Sequence, residues 1–192
     1  MADRLHRLSA FPSNTPFAME TPIIRTYYES PLGRMALYSY KGRLCLCDWC
    51  EGQRSELNLR RVTRHLKAPV EDGMSDVLNV ATCQLDEYFK RRRKAFSVPF
   101  MLIGTDFQRM VWSSLANIPY GRTLSYGEQA RRLGMPKSVR ALANADGSNP
   151  ISIILPCHRI VGSDHSLTGY GGGLEVKQQL LDLEKGVRRF VW

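Results

Sequence analysis

A thiol, an imidazole and a guanidinium are adjacent in "ISIILPCHRIVG", residues 151–162, as Cys157, His158 and Arg159. The thiolate is the nucleophilic form of cysteine, and nearby positive charge favours its formation. An imidazole is a base near neutral pH, and its second nitrogen needs an orienting partner, usually a carboxylate. The three residues therefore predict nucleophilic chemistry at Cys157.

Ionisation of the thiol cannot supply all of the required reactivity. An ordinary cysteine with a pKa of ~8.5 is already about 3% thiolate at neutral pH, so complete ionisation gains roughly thirtyfold. Alignment of the reacting atoms gives far larger factors. The apolar run before Pro156 predicts a strand that fixes the backbone of Cys157. Since neighbouring residues of a strand face opposite ways, His158 reaches the sulfur only if the chain turns or a water links the two.

The other four cysteines are interpreted as small, buried apolar side chains. Cys45, Cys47 and Cys50 in "CLCDWC" lack the usual paired C-x-x-C spacing and have no histidine nearby, so zinc there is a minor alternative. Cys83 falls within a predicted helix. We therefore expect no metal.

Length and charge restrict the class of protein. The chain has 192 residues, 43% hydrophobic and 23% charged, as in a globular protein of one medium domain or two small ones. Its net charge of +9 favours a polyanionic partner such as nucleic acid. The run "KRRRK", residues 90–94, is interpreted as a solvated helix end. With no apolar run near the ~20 residues that span a bilayer, and no secretory signal, we expect a cytoplasmic protein, or a nuclear one in a eukaryote.

The first half of the chain predicts a small sheet and two helices. The strands are "IIRTYY", "RMALYSY" and "RLCLCDW", separated by the turns "SPLG" and "KG". Apolar residues at helical spacing predict helices at 53–67 and 75–89, and "KAFSVPFMLIG" after them is interpreted as a surface linker. With residues 1–22 as a disordered arm, these elements predict an N-terminal α/β domain over 23–100.

The second half, 101–192, predicts a domain of short helices. "TDFQ" (105–108) and "SYGE" (125–128) are capping boxes, in which the first and last side chains each bond the other residue's backbone amide. The helix after the second box is predicted to end at Gly134. "MPKSVRALANA" predicts a further helix with Pro136 near its first turn. Two short helices joined by a glycine-containing turn predict a helix-turn-helix.

These segments resemble the O6-alkylguanine-DNA alkyltransferases, also called methylated-DNA–protein-cysteine methyltransferases. The resemblance rests on "GTDFQRMVWSSLANIPYGRTLSYGEQA", "VRALANADGSNPISIILPCHRIV" and "LTGYGGGLEVKQQLLDLE", which cover the C-terminal domain almost throughout. It is looser before that, through "SPLG", "YF" and an "F..P" spacing. It implies an α+β fold: an N-terminal domain with a small antiparallel sheet and helices, and a mostly helical C-terminal domain with a winged-helix-like DNA surface.

The resemblance implies DNA repair by direct reversal of damage. Cys157 would take a methyl or larger alkyl group from O6 of guanine by in-line displacement, and each molecule would react once because the product is a thioether. We expect no cofactor, because transfer to a thiol requires none. His158 would act as the base through a water, and Glu184 would orient His158. Asn149 would hold the turn that presents Cys157. Tyr126 would bond a purine ring nitrogen and supply a proton to the leaving guanine.

The resemblance also implies how the base is held. Tyr170 would form a wall of the pocket, and the backbone amide near Gly171 would contact O6. Carbonyls around Cys157 and Ile160 would bond the exocyclic amine. The glycine run "GYGGG" (169–173) suits a loop that a flat base approaches closely.

The implied partner is double-stranded DNA that carries O6-alkylguanine, bound by a monomer. A base inside a duplex has to be flipped out to reach such a pocket. The helix-turn-helix would enter the minor groove, where Arg140 would fill the vacated place in the stack. The small residues Ala141, Ala143 and Ala145 would let the helix approach the groove walls. Such binding is expected to be mainly nonspecific and sensitive to salt.

Two other classes of protein remain open. In a helix-turn-helix binding protein with a structural cysteine, Cys157→Ala would keep both binding and all activity. A cysteine hydrolase would use Cys157 and His158 over many turnovers, although the partners in hydrolases are usually far apart in sequence. A branch of the family without the acceptor cysteine only binds alkylated DNA, and "PCHR" argues against that branch.

Overall fold

The computed structural model describes residues 21–51 and 53–187. Its strands are β1 (Ile23–Ser30), β2 (Gly33–Tyr40), β3 (Arg43–Trp49), β4 (Val70–Asp72), β5 (Leu124–Ser125) and β6 (Ile160–Val161). Its helices are α1 (Gln53–Leu66), α2 (Asp76–Phe89), α3 (Asp106–Leu115), α4 (Tyr126–Arg132), α5 (Val139–Asp146) and α6 (Leu174–Lys185), with a 3₁₀ turn at Cys157–Arg159. The predicted α+β class is confirmed. The predicted disordered arm lies outside the described residues, apart from its last two.

A four-stranded sheet in the order β3-β2-β1-β4 forms the N-terminal half. The two predicted hairpins are present, and Gly33 and Gly42 take positive φ angles of 130° and 73° at their turns. β4 pairs in parallel with β1 and was not predicted, because the exposed tripeptide Val-Glu-Asp carries no strand pattern. Successive residues of β2 face opposite sides, where α1 covers one face and α2 the other.

A β-bulge at Cys45 places two cysteines of β3 in different environments. Residues two apart in a regular strand share a face. Here the register shift places Cys45 in the apolar cluster with Val62 of α1, and Cys47 in the other cluster, with Leu78 of α2. This separation argues against the zinc alternative. The interpretation as buried apolar side chains is confirmed for these two cysteines and wrong for Cys50 and Cys83, which are exposed.

The segment after α2 does more than cross the surface as the predicted linker. Phe100 forms a parallel bridge with Leu44, whose amide donates to Pro99 O and whose carbonyl accepts from Met101 N, both at 2.9 Å. Ile103 is buried. The segment therefore adds to the sheet at the β3 edge and leads directly into α3.

Three short helices and both predicted capping boxes form the next part of the chain. The side chains of Thr105 and Ser125 accept from the third backbone amides of α3 and α4. In return, the side chains of Gln108 and Glu128 accept from the backbone amides of Thr105 and Ser125. The helices pack around Val111, Ala130 and Leu142. Within the described residues, no helix has the length and apolarity to cross a membrane.

The predicted helix-turn-helix is formed by α4 and α5. α4 gives way to a turn in which Gly134 takes a φ of 71°, as predicted for the end of this helix. Pro136 lies two residues before Ser138, the cap residue of α5, and so near the first turn of this helix, as predicted. Ser138 N donates to Met135 O at 2.9 Å, which closes a separate turn around Pro136, and α5 begins at Val139.

Candidate active site

The segment that presents Cys157 is a turn and not the predicted strand. Only Ile151 bridges to β3, in parallel with Cys47. Ile153 has a φ of 69°, in the left-handed region that β-branched residues disfavour, and Leu155 N donates back to Ile151 O at 3.0 Å. The apolar residues of this segment are buried, so the apolar run in the sequence indicates burial and not a strand.

Asn149 holds this turn closed with its side chain. Its Oδ1 accepts from Ile151 N at 3.0 Å, and its Nδ2 donates to Leu155 O at 2.8 Å. The same Nδ2 lies 3.3 Å from the sulfur of Cys157. An amide that bonds both ends of a strained turn explains how Ile153 keeps its unfavourable conformation.

A two-stranded parallel sheet brings Tyr126 to the same place. β5 pairs with β6, so that Leu124 lies opposite Ile160 just after the 3₁₀ turn of Cys157. Tyr126 follows β5 as the first residue of α4, and its hydroxyl lies 3.5 Å from Thr168 O. Ile160 is buried, and its amide donates to the Cys157 carbonyl.

The carboxylate of Glu184 is the centre of a buried hydrogen-bond network. It accepts from His158 Nε2 at 2.8 Å, Tyr88 OH at 2.8 Å, Gly121 N at 2.9 Å and Arg159 Nη2 at 2.9 Å. Burial alone would raise the pKa of Glu184, but the hydrogen bonds from His158 and Arg159 and the charge of Arg159 outweigh it and lower the pKa to about 2. Glu184 is therefore ionised, and it is buried although its sequence position on α6 alone would suggest a solvated residue.

The tautomer of His158 follows from this partner. An ionised carboxylate only accepts, so Nε2 carries the hydrogen and Nδ1 presents a lone pair. Nδ1 is buried and has no hydrogen-bond partner among the described residues. Burial lowers the pKa of His158, which outweighs the opposing effect of Glu184. The imidazole is thus neutral, and its Nδ1 can accept a proton.

The resting state of Cys157 is a neutral thiol. Its side chain is buried, with 8% of the residue exposed, and burial raises its pKa to about 12 although the Asn149 hydrogen bond opposes this. At pH 7 such a thiol keeps its proton. The prediction that neighbouring positive charge favours the thiolate is wrong, because Arg159 turns toward Glu184 and Ile118 O. Ionisation therefore requires a base at the moment of reaction.

Tyr170, at the start of the glycine loop, lies against His158 and is supported from β3. Trp49 Nε1 donates to Tyr170 OH at 3.1 Å, and the Tyr170 ring packs edge-on to His158 with centroids 6.4 Å apart. A Cβ on Gly172 would lie 2.6 Å from the Trp49 indole, whereas one on Gly171 would meet its nearest neighbour at 3.7 Å. The close approach that requires glycine is therefore at Gly172.

α5 presents part of its predicted DNA-binding set to solvent. Arg140 and Ala141 are exposed and Ala143 is half-buried. Ala145 is buried, so the prediction that it approaches the groove is wrong. It lies three residues after Leu142, on the stripe that packs against α3 and α4.

Sequence reasoning missed several polar residues that support the site. They are Asp48, Trp49, Tyr88 and Lys177. Lys177 is fully buried, donates from Nζ to Thr168 O at 2.6 Å, and has a pKa lowered to about 8 by burial. Its signal was available, because Lys177, Leu180 and Glu184 follow helical spacing on one face of α6.

Comparison with known proteins gives matches over both halves of the chain. The family model for the 6-O-methylguanine DNA methyltransferase ribonuclease-like domain matches residues 23–102, and the model for the DNA binding domain of the same enzyme matches residues 106–186. The methylated-DNA–protein-cysteine methyltransferase of Haemophilus influenzae is 41% identical over 166 residues, which cover 86% of this chain and 88% of that protein. That of Methanosarcina acetivorans is 38% identical over 160 residues, covering 82% and 95%.

Solved structures agree with these matches. The Mycobacterium tuberculosis O6-methylguanine methyltransferase superposes with a TM-score of 0.70 at 38% identity, over 86% of this chain and 93% of that one. The same enzyme in complex with DNA gives a TM-score of 0.73 at 38% identity, over 85% and 93%. Fold and site describe a two-part α+β protein with a buried thiol, a base and a helix-turn-helix. The chain belongs to the 6-O-methylguanine DNA methyltransferase family, whose activity is DNA repair by alkyl transfer to a cysteine.

Proposed function

We propose that Cys157 is the cysteine that accepts the alkyl group from O6 of guanine in double-stranded DNA. The observation that carries the proposal is the pairing of a buried thiol with an oriented base. Asn149 bonds the thiol of Cys157, and Glu184 bonds Nε2 of the adjacent His158, whose Nδ1 is bonded by no described residue. A cysteine that served only packing would need no such base behind it.

The first step removes the thiol proton. In the proposed step it passes from Cys157 Sγ through one bridging water to Nδ1 of His158, which no described residue bonds and which can therefore accept from that water. The carboxylate of Glu184 then stabilises the imidazolium through Nε2. The ionised Glu184 and the neutral imidazole are the protonation states that this transfer requires.

The second step transfers the alkyl group. The thiolate of Cys157 attacks the alkyl carbon, an S–C bond forms, and the C–O6 bond breaks with its electron pair moving onto the guanine. Tyr126 donates its phenolic proton to a ring nitrogen of the leaving base, and the phenolate recovers a proton that the His158 imidazolium releases through solvent. Burial raises the pKa of Tyr126, so the phenol keeps its proton until negative charge develops on the base.

DNA binding is assigned to the exposed side of α5. Arg140 and Ala141 face solvent, and Ala143 lies at the border of that face. In the proposed complex α5 enters the minor groove, the damaged guanine flips into the pocket beside Tyr170 and Gly171, and Arg140 takes its place in the stack. Backbone carbonyls of Cys157 and Ile160 bond the exocyclic amine of the flipped base.

The reaction balances without a cofactor, and it ends at a stable thioether, so one molecule repairs one base. The protein acts as a monomer in this scheme. We also propose that the chain divides into an N-terminal domain over 23–100 and a C-terminal domain over 101–192. A reducing compartment suits its five free cysteines, which favours the cytoplasm or, in a eukaryote, the nucleus.

Intact-protein and peptide mass spectrometry after mixing with duplex DNA that contains one O6-methylguanine tests the proposal. We expect one methyl group on the peptide of Cys157, saturating at one per chain, and none in Cys157→Ser. The exposed-cysteine variant Cys83→Ser is the control and keeps full transfer. Unmodified protein with unrepaired DNA would leave only a DNA-binding role, and repeated repair with Cys157 still free would point to hydrolytic turnover.

A further inference from the structure

A tyrosine from the N-terminal half of the chain reaches the centre of the active site. The hydroxyl of Tyr88, on α2, lies 2.8 Å from Glu184 Oε1. The same oxygen bonds His158 Nε2, also at 2.8 Å. Because the carboxylate is ionised and can only accept, Tyr88 is the donor. Tyr88 and His158 therefore share one oxygen of Glu184.

Packing fixes the position of this hydroxyl. Tyr88 is completely buried, and its ring contacts Phe89, Phe96 and Tyr120 with centroids 5.4, 5.5 and 6.0 Å away. Aromatic rings enclosed in this way have few alternative rotamers. The hydroxyl is thus held on Glu184 by a rigid cluster that belongs mostly to the N-terminal half.

We propose that Tyr88 is a positioning residue for the alkyl transfer: its hydroxyl fixes the Glu184 carboxylate and draws part of its negative charge away from His158. The inference rests on the proposed function, in which His158 must be neutral to accept the proton of Cys157. A bare carboxylate at 2.8 Å would favour imidazolium, which cannot act as a base. A second donor on the same oxygen weakens that preference.

Other groups around the imidazole act in the same or the opposite sense. Glu184 favours the imidazolium, whereas Arg159 and Lys177 disfavour it through their charges. Tyr88 in turn faces Glu184, Arg159 and Tyr120. Its own pKa is raised well above the usual value by burial and then by Glu184, so it stays a donor throughout the working pH range. Among these groups Tyr88 comes from the N-terminal half of the chain, and its hydrogen bond to Glu184 favours the neutral form of His158.

The variant Tyr88→Phe removes only the hydroxyl and keeps the ring in its cluster. The matched control is Tyr28→Phe. Tyr28 lies in the same half of the chain, stacks on the same Phe89, and donates to the Asp86 carboxylate at the same distance of 2.8 Å. Both variants lose one buried or half-buried tyrosine–carboxylate bond, but only one of these bonds involves Glu184.

The measurement is the pKa of His158 by NMR of labelled imidazole, paired with the pH dependence of single-turnover methyl transfer. A full opposite charge at this range shifts a pKa by roughly 1–3 units, and one hydrogen bond to that charge reduces the shift by a fraction. We therefore expect the pKa of His158 to rise by roughly 0.5 in Tyr88→Phe. The acid limb of the transfer rate moves to higher pH by the same amount. Tyr28→Phe leaves both unchanged.

A perturbation of opposite sign makes the test independent of any loss of stability. With 3-fluorotyrosine in place of Tyr88, the more acidic phenol is a stronger donor, and the pKa of His158 is expected to fall. Identical behaviour of His158 in all proteins, including no titration in any of them, overturns the inference. If the wild type transfers no methyl group, the proposed function fails, while the NMR titration still judges the contact of Tyr88 with Glu184.

Discussion

Replacing Glu184 by glutamine keeps the size of the side chain and removes the charge at the centre of the site. In the native protein this carboxylate accepts from four residues, and one of them is the buried guanidinium of Arg159. Glu184→Gln leaves that guanidinium without its counterion and brings an amide donor against groups that are themselves donors. We expect a large loss of stability with a distinctive dependence on pH.

The magnitude follows from the pKa of Glu184. Folding lowers it from 4.5 to about 2, and one pKa unit corresponds to about 1.4 kcal/mol, so ionised Glu184 contributes about 3 kcal/mol at pH 7. Because the pKa is lower in the folded state, this contribution is complete above pH 4.5 and is lost as the pH falls toward 2. Between pH 5 and pH 3, the difference in unfolding free energy between wild type and Glu184→Gln should shrink by about 2 kcal/mol.

Urea unfolding at pH 7, 5, 4 and 3 measures this difference directly. The control is Glu175→Gln, which changes an exposed glutamate of the same helix and should alter the unfolding free energy by less than about 0.5 kcal/mol. A loss in Glu184→Gln that is equal at pH 5 and pH 3 would refute the reasoning, because it would show that Glu184 stabilises the fold by shape and not by charge.

Three further predictions follow from the site. Gly172→Ala forces a methyl group against the Trp49 indole and should lower the unfolding free energy by about 1–3 kcal/mol, measured by urea unfolding; an unchanged midpoint would contradict the close approach. Arg140→Ala should slow methyl transfer to Cys157 from duplex DNA but not from free O6-methylguanine base, as mass spectrometry of the methylated protein would show, and equal slowing of both would contradict a role for Arg140 in the duplex. Iodoacetamide at pH 7 should modify the exposed Cys83 well before the buried, protonated Cys157, as peptide mass spectrometry would show, and the reverse order would mean that the thiol is already ionised.

The local elements could be predicted because their signals lie within a few residues. Both capping boxes, the two hairpins and the helices α1 and α2 depend on neighbours along the chain, and their ends match the sequence patterns closely. The turn before Cys157 could not be predicted in this way. Its run of isoleucines has the composition of a strand, and the group that overrides this preference is the single side chain of Asn149.

The protonation states of the site could not be predicted from the sequence for a similar reason. Adjacency of Cys157 to His158 and Arg159 predicted an easily formed thiolate, but burial has the opposite effect, and the arginine faces away toward Glu184. Which charges face each other depends on contacts between residues far apart in the chain, such as the 96 positions that separate Tyr88 and Glu184. Local spacing carries no information on such contacts.

The burial of the thiol explains why the network behind it is so extensive. In the proposed function the site receives a flat base and excludes water, and burial of the thiol raises the pKa of Cys157 to about 12. The protein thus cannot rely on a standing thiolate and needs a neutral base beside the thiol. A bare carboxylate beside the imidazole would raise the pKa of His158 against the effect of burial, and sharing the carboxylate of Glu184 among several donors reduces that increase. The donors from Tyr88, Gly121 and Arg159 are therefore as much a consequence of burying the thiol as His158 is.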